Sequence, residues 1–137
     1  MKPFDWPVRV YYEDTDAGGV VYHAGYLRFF ERGRTEWLRA LGYSQARLIA
    51  EAGLIFTVVE MSIRFRQPAR LDDLLTVRTQ ALPAGGATVN FEQTLLRDGD
   101  AGSAEEVLSS AQVRVACLDC VSFRPRRLPA DLSREIA

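Results

Sequence analysis

Apolar and polar residues change their period twice along this chain. Val8-Arg9-Val10-Tyr11-Tyr12-Glu13 alternates, which predicts a first strand. From about His23 to Leu41 the period lengthens to that of a helix. Tyr26, Phe30, Gly33, Trp37 and Leu41 fall on one face, and Arg28, Arg32, Thr35 and Arg39 on the other. Gly42 stands at a plausible C′ position. Gly33 costs the helix about 1 kcal/mol relative to Ala, so its place in the apolar stripe points to close approach by a sheet. Ser44 can cap a shorter helix through about Ala52, with Gly53 beyond it.

The alternation then returns. In Val59–Arg66, Val59, Met61, Ile63 and Phe65 alternate with Glu60, Ser62, Arg64 and Arg66, which predicts a half-buried strand stopped at Pro68. Leu75–Ala81 predicts the next, ending near Pro83, and Gly85-Gly86 turns the chain into Thr88–Leu96. Residues 98–103 are polar and Gly-rich, an exposed loop. A last strand is expected from about Val107 to Leu118, and a final turn of helix near Asp131–Ile136. Strand, long helix, short helix and four strands joined by short turns make an α+β class with an antiparallel sheet. No internal repeat or linker divides residues 1–137, so one domain is expected. One helix on one sheet leaves two edge strands and an outer face, which oligomers usually cover.

Composition narrows the function classes. The chain is 47% hydrophobic and 26% charged, ordinary for a globular protein. A net charge of -1 gives no bulk field for nucleic acid, and no apolar run reaches the roughly 20 residues of a membrane span. The N-terminus lacks the apolar core of a signal peptide, so the cytoplasm is the expected compartment and no stable membrane insertion is expected. Arg124, Arg126 and Arg127 read as a solvated tail, with phosphate binding as the alternative. Cys117 and Cys120 form a C-x-x-C on a strand rather than at a helix start. It reads as one buried and one exposed thiol, not as a redox or zinc motif.

Candidate chemistry concentrates in Tyr11–Tyr26, where Glu13, Asp14, Asp16, Gly18-Gly19 and the only histidine, His23, crowd together. A helix that starts near His23 presents free N–H groups to the preceding loop. A carbonyl held there would have its developing oxyanion stabilised, and Asp16 could serve as general base or as nucleophile. The competing readings are a turn capped by Asp14 or Asp16, and a D-x-D metal site short of further ligands. A Ser-His-Asp triad lacks the G-x-S-x-G elbow, and no phosphate-binding glycine loop is present.

Residues Trp6–Ala24, then Tyr26, Phe30-Glu31-Arg32 and Arg34-Thr35-Glu36, resemble the hotdog-fold 4-hydroxybenzoyl-CoA thioesterase family. Within that family they are most similar to the YbgC-type acyl-CoA thioesterases associated with the Tol–Pal system. Pro68–Asp73, Arg124-Pro125-Arg126 and Leu128-Pro129 extend the resemblance along essentially the whole chain. Two segments depart from the type, a long loop at Gly99–Glu106 and Asp119–Ser122, which lacks a proline.

The resemblance implies a five- or six-stranded antiparallel sheet wrapped around one long central helix. It implies hydrolysis of an acyl-CoA thioester, with acyl carrier protein as an alternative thioester carrier, and no metal or redox cofactor. It places the catalytic aspartate on Asp16 and the carbonyl donor on the N–H of His23, whose ring also has a role in the YbgC type. Gly19, Val20, Tyr22 and Tyr26 are then expected at the substrate, and Arg64, Arg66 and Arg70 at the CoA phosphates. Edge-to-edge dimers with interfacial sites, paired into tetramers, are the implied assembly. A non-catalytic partner of acyl carrier protein or of an envelope complex is the competing class.

Overall fold

A computed structural model describes residues 2–99 and 104–137. The described chain runs β1 (Phe4–Arg9), a 3-10 turn (Tyr12–Asp14), α1 (His23–Ala40), α2 (Gln45–Ala52), β2 (Leu54–Phe65), β3 (Leu74–Pro83), β4 (Thr88–Arg97), β5 (Glu106–Asp119) and α3 (Ala130–Ile136). The strands form one antiparallel sheet in the order β1-β3-β4-β5-β2. Consecutive strands β3, β4 and β5 are neighbours, as short turns require. β2 instead lies at the far edge beside β5, so the chain crosses the sheet between β2 and β3. The polar loop expected at 98–103, and the long departure at Gly99–Glu106, fall partly outside the described residues.

Both helices start and stop close to the expected points. Ser44 caps α2, its hydroxyl accepting the Arg47 N–H at 3.4 Å. The α1 stripe is buried: Tyr26, Phe30, Gly33 and Trp37 face the sheet, joined by Phe29. Each large side chain so buried contributes roughly 1.5–3 kcal/mol. Trp37 packs edge-on against Phe91 of β4, with ring centroids 5.1 Å apart. Gly33 does mark close approach. A Cβ there would stand 2.5 Å from Val77 Cγ1 and 3.0 Å from Thr79 Oγ1.

Beside that contact the core holds a polar clamp. Gln93 Nε2 donates to the Phe30 carbonyl and to Thr79 Oγ1, each at 2.9 Å, and Gln93 Oε1 accepts from Arg34 Nη1 at 2.9 Å. A buried amide is tolerated because these partners satisfy it.

Two strand expectations need correction. The first strand is Phe4–Arg9, not Val8–Glu13. Its register is set by pairing with β3, from Phe4 opposite Thr79 to Arg9 opposite Leu74, and Pro7 is tolerated because β1 is an edge. Tyr11–Thr15 curls into a turn instead, because the Asp14 carboxylate accepts the Tyr11 N–H at 2.8 Å. The second strand begins at Leu54, where a continuous apolar run hid the period. A bulge between Val58 and Glu60 leaves Val59 unpaired and 55% exposed. Val59 is therefore not part of the inward row with Met61 and Ile63.

Of the cysteines, Cys117 is buried on β5 and Cys120 is half-buried. Both are free thiols, and burial pushes Cys117 above the usual thiol range. Cys120 is thus less exposed than expected.

Candidate active site

The acidic run folds into a tight hairpin that ends at a helix. Thr15 bridges Val21, the Asp16 N–H donates to the Val20 carbonyl at 2.9 Å, and the Gly19 N–H donates back to the Asp16 carbonyl at 3.0 Å. Gly19 makes the turn at φ +77°, where a side chain would be strained. Asp16 therefore stands across from Val20, three residues before α1 begins.

The three carboxylates part company here. Asp14 is buried, with its side chain on the Tyr11 N–H and its carbonyl accepting from Tyr22 N at 3.2 Å. It holds the turn. Glu13 is exposed on the 3-10 turn. Asp16 is exposed, and only its Oδ1 is used, accepting the Gly18 N–H at 2.8 Å. Its Oδ2 has no protein partner among the described residues. The turn therefore uses one oxygen of Asp16 and leaves the other unbonded.

The helix end is open. Tyr22 is the N-cap of α1 but makes no side-chain capping bond, and no acid lies in the first turn. The His23 N–H has no acceptor among the described residues. An uncapped N-terminus with its dipole favours an oxyanion. The His23 ring is exposed and has ring contacts but no hydrogen bond among the described residues: its centroid is 4.8 Å from Phe65 of β2, tilted, and 6.0 Å from Tyr22, stacked.

The turn at Pro68–Asp73 braces this hairpin from behind. Val21 N donates to the Ala69 carbonyl at 2.8 Å, Val20 bridges Arg70, and the Tyr26 hydroxyl accepts the Ala69 N–H at 3.0 Å. Asp73 Oδ2 accepts the Arg70 N–H at 2.9 Å and Arg97 Nη1 at 2.6 Å, which keeps the turn closed.

The expected site residues therefore divide. Asp16, Gly19, Val20, Tyr22, His23 and Arg70 come together. Tyr26 is buried and serves as a brace. Arg66 follows Phe65 at the end of β2, its N–H on the Leu108 carbonyl at 2.8 Å. Arg64 lines the outer sheet face with Ser62, Glu92 and Ser110, away from His23.

Two features were not read from the sequence. Phe65, expected on the apolar side of a half-buried strand, is 44% exposed and stands beside the His23 ring. A cavity of about 120 Å³ lies between α1 and the sheet, lined by Arg34, Trp37, Leu38, Phe56, Val58 and Phe91. Burial pushes the Arg34 guanidinium down from its ordinary range, partly offset by Glu31. Arg34 is 11 residues beyond His23, about 17 Å along the helix at 1.5 Å per residue. No single motif could have signalled a cavity whose walls come from six elements, α1, α2, β2, β4, β5 and α3.

A five-stranded antiparallel sheet packed on one long helix, with an acidic hairpin leading into that helix, is a hotdog fold. The chain belongs to the thioesterase-like superfamily, whose family model matches residues 10–136. It is 50% identical over 129 residues to the acyl-CoA thioesterase YbgC of Haemophilus influenzae, covering 94% of this chain and 90% of that one. The crystal structure of a probable thioesterase from Bartonella henselae is similar at TM-score 0.84 and 41% identity, covering 93% of this chain and all of that one. A 4-hydroxybenzoyl CoA thioesterase solved with 4-hydroxybenzoyl CoA matches at TM-score 0.87 and 18% identity, over 99% of each chain, a likeness of fold.

Proposed function

We propose that this chain hydrolyses acyl-CoA thioesters to a free acid and CoA. The observation that carries the reading is the pairing of a free Asp16 oxygen with an uncapped helix start at His23, held together by the Thr15–Val21 hairpin. The thioester carbonyl oxygen takes the His23 N–H. Asp16 either accepts a proton from the attacking water or attacks the carbonyl carbon itself. In the first route water adds to the acyl carbon and the thiolate leaves; in the second the thiolate leaves an anhydride on Asp16 that water then cleaves, and both end with the free acid, a protonated thiol and Asp16 restored. One backbone donor of this kind is typically worth about 2.7–4 kcal/mol of barrier. The His23 ring and Tyr22 flank the thioester, and Arg70 is the arginine best placed for CoA phosphate.

The working unit in this reading is a dimer joined along β2. That strand pairs only with β5 and carries exposed Val58, Val59 and Phe65. A two-fold axis near the middle of β2 exchanges its ends. The partner's cavity, lined at Phe56 and Val58, then meets this chain's His23 beside Phe65. The acyl group would occupy the partner's cavity while Asp16 acts from this chain. A dimer of such dimers, a cytoplasmic location, service to the Tol–Pal system and thioesters on acyl carrier protein are carried by the family resemblance alone.

The test is thiol release from short, long and aromatic acyl-CoAs and from an acyl carrier protein thioester. Release from at least one is expected. No release from any of them would leave a binding protein in place of an enzyme.

A further inference from the structure

Around His23 a single chain leaves aromatic rings in water. Tyr22 and Phe65 are both exposed, and both neighbour the His23 ring. A thioester held among such rings would be wet. A backbone donor stabilises an oxyanion best where water is excluded.

The other end of β2 carries an apolar turn with no task in its own chain. Beyond Asp119 the chain turns through residues 120–123 and returns, with Leu118 bridged to Pro125. Val121 is 83% exposed and Phe123 is 64% exposed. The turn is well bonded all the same. Asp119 Oδ1 accepts the N–H groups of Val121 and Ser122 at 2.9 and 3.0 Å, and the Asp119 carbonyl accepts the Phe123 N–H at 2.9 Å. Phe123 sits at φ +57°, a strained conformation for a bulky residue. Strain that holds an aromatic ring in water points to a use for the ring.

A two-fold axis near the middle of β2, perpendicular to the sheet, brings these two unfinished ends together. Leu54 of one chain then faces the partner's Phe65, and Asp119 lies on the other side of Leu54, paired with it. Two strand spacings, about 10 Å, separate Asp119 from the partner's Phe65, a gap that side chains fill between packed layers. The faces agree as well. Directly opposite residues share a face of the sheet, and Leu54 is in the core beneath the helices, so Asp119 projects to the helix side. Its Oδ1 draws the turn to that side, and the Cys120 N–H on the Gly53 carbonyl at 2.8 Å keeps the turn beside the start of β2. Phe65 stands on the same side, its ring 5.1 Å from that of Tyr26 on α1.

On the hydrolase reading and the β2-joined dimer, we propose that Phe123, with Val121 beside it, completes the active site of the partner chain. The thioester lies between the Phe123 ring of one chain and the partner's His23 and Phe65. Each site then takes its aspartate, its helix end and one aromatic wall from one chain, and the wall that shuts out water from the other. A single chain holds both halves, but at opposite ends of β2, so neither half serves the other within it.

The test places two defects in separate chains. Phe123→Asn keeps a residue tolerant of positive φ, so the turn and the melting temperature should hold. Its kcat/KM on the acyl-CoA that wild type cleaves fastest should fall by about tenfold. Asp16→Asn and Phe123→Asn chains carrying different affinity tags are then co-expressed, and the mixed dimer is isolated through both tags. One of its two sites has Asp16 and Phe123 intact, each from a different chain, so about half the wild-type rate per dimer is expected. If Phe123 served its own chain, every intact Asp16 would work beside the substituted residue, and the mixed dimer would run at half the Phe123→Asn rate. That result overturns the proposal. An undiminished rate in Phe123→Asn also overturns it, as does a Phe123→Asn chain that sediments as a monomer, which would make the ring an interface contact only. In each of these cases wild-type turnover leaves the hydrolase reading standing, whereas no thiol release by wild type overturns both.

Discussion

Asp16 and Asp119 open turns of the same kind at opposite ends of the molecule. Each uses Oδ1 to accept the N–H two residues ahead, Gly18 for Asp16 and Val121 for Asp119. They differ in the second oxygen. Asp119 Oδ2 meets the Arg126 guanidinium at 3.3 Å, so its charge is committed to the fold. Asp16 Oδ2 meets no protein group among the described residues, in a hairpin that leads into an uncapped helix. The local motif is the same in both. What the second oxygen meets separates the two: it ties Asp119 to the fold and leaves Asp16 unbonded among the described residues, while the third carboxylate, Asp14, is buried on the Tyr11 N–H.

The largest expected effect comes from removing that difference. Asp16→Asn keeps an oxygen for the Gly18 N–H, so the turn and the melting temperature should hold. The rate should fall by about 10²–10⁴-fold, the usual contribution of a general base. Steady-state kinetics beside thermal melts check both halves. A rate within threefold of wild type would place the chemistry elsewhere, and a large drop in melting temperature would make Asp16 as structural as Asp119.

Next in size is the seat of the helix that presents His23. Gly33→Ala gains helix propensity of about 1 kcal/mol but drives a Cβ to 2.5 Å from Val77 Cγ1. Val77 is fully buried and has nowhere to go, so overpacking should win, with a net loss of about 1–3 kcal/mol. Denaturant unfolding measures this. Gly33→Ala with Val77→Ala should recover part of the loss, and no recovery would move the clash to Thr79 or Gln93.

His23→Ala should cost less. The backbone donor survives the substitution, and the ring has stacking contacts but no hydrogen bond among the described residues. A rate loss within about tenfold is expected, well below the 10²–10⁴-fold of general-base removal. A loss equal to that of Asp16→Asn would bring the imidazole into the chemistry.

These contrasts also show what could be read in advance. The helices were legible because caps and stripes are local: Ser44, Gly53 and the Tyr26–Trp37 stripe lie where their spacing put them. The sheet was legible as a count of strands but not as an order, since nothing in β2 says that its neighbour is β5. The bulge at Val59 erased the period that would have located the strand's start. In the site, spacing left three carboxylates level, and the family resemblance singled out Asp16. The physical reason is the second oxygen of each, which is a fact about residues brought together by folding. Phe65 and the cavity at Arg34 were illegible for the same reason. An exposed strand end and a buried one carry the same letters.

The smallest effect lies at the other turn, in Asp119. Amide donors from Ser122 and Val121, and then Arg126, hold its carboxyl below the usual range. A depressed folded pKa means that the stabilisation is fully present above the unfolded value of about 3.9, and is lost as pH falls through the folded one. Asp119→Ala should therefore melt slightly below wild type from about pH 5 upward. The two curves should converge as pH drops below about 4. A constant gap for Asp119→Ala down to the lowest pH would mean that its turn is held by shape rather than by charge, and the contrast drawn from the Arg126 ion pair would fail.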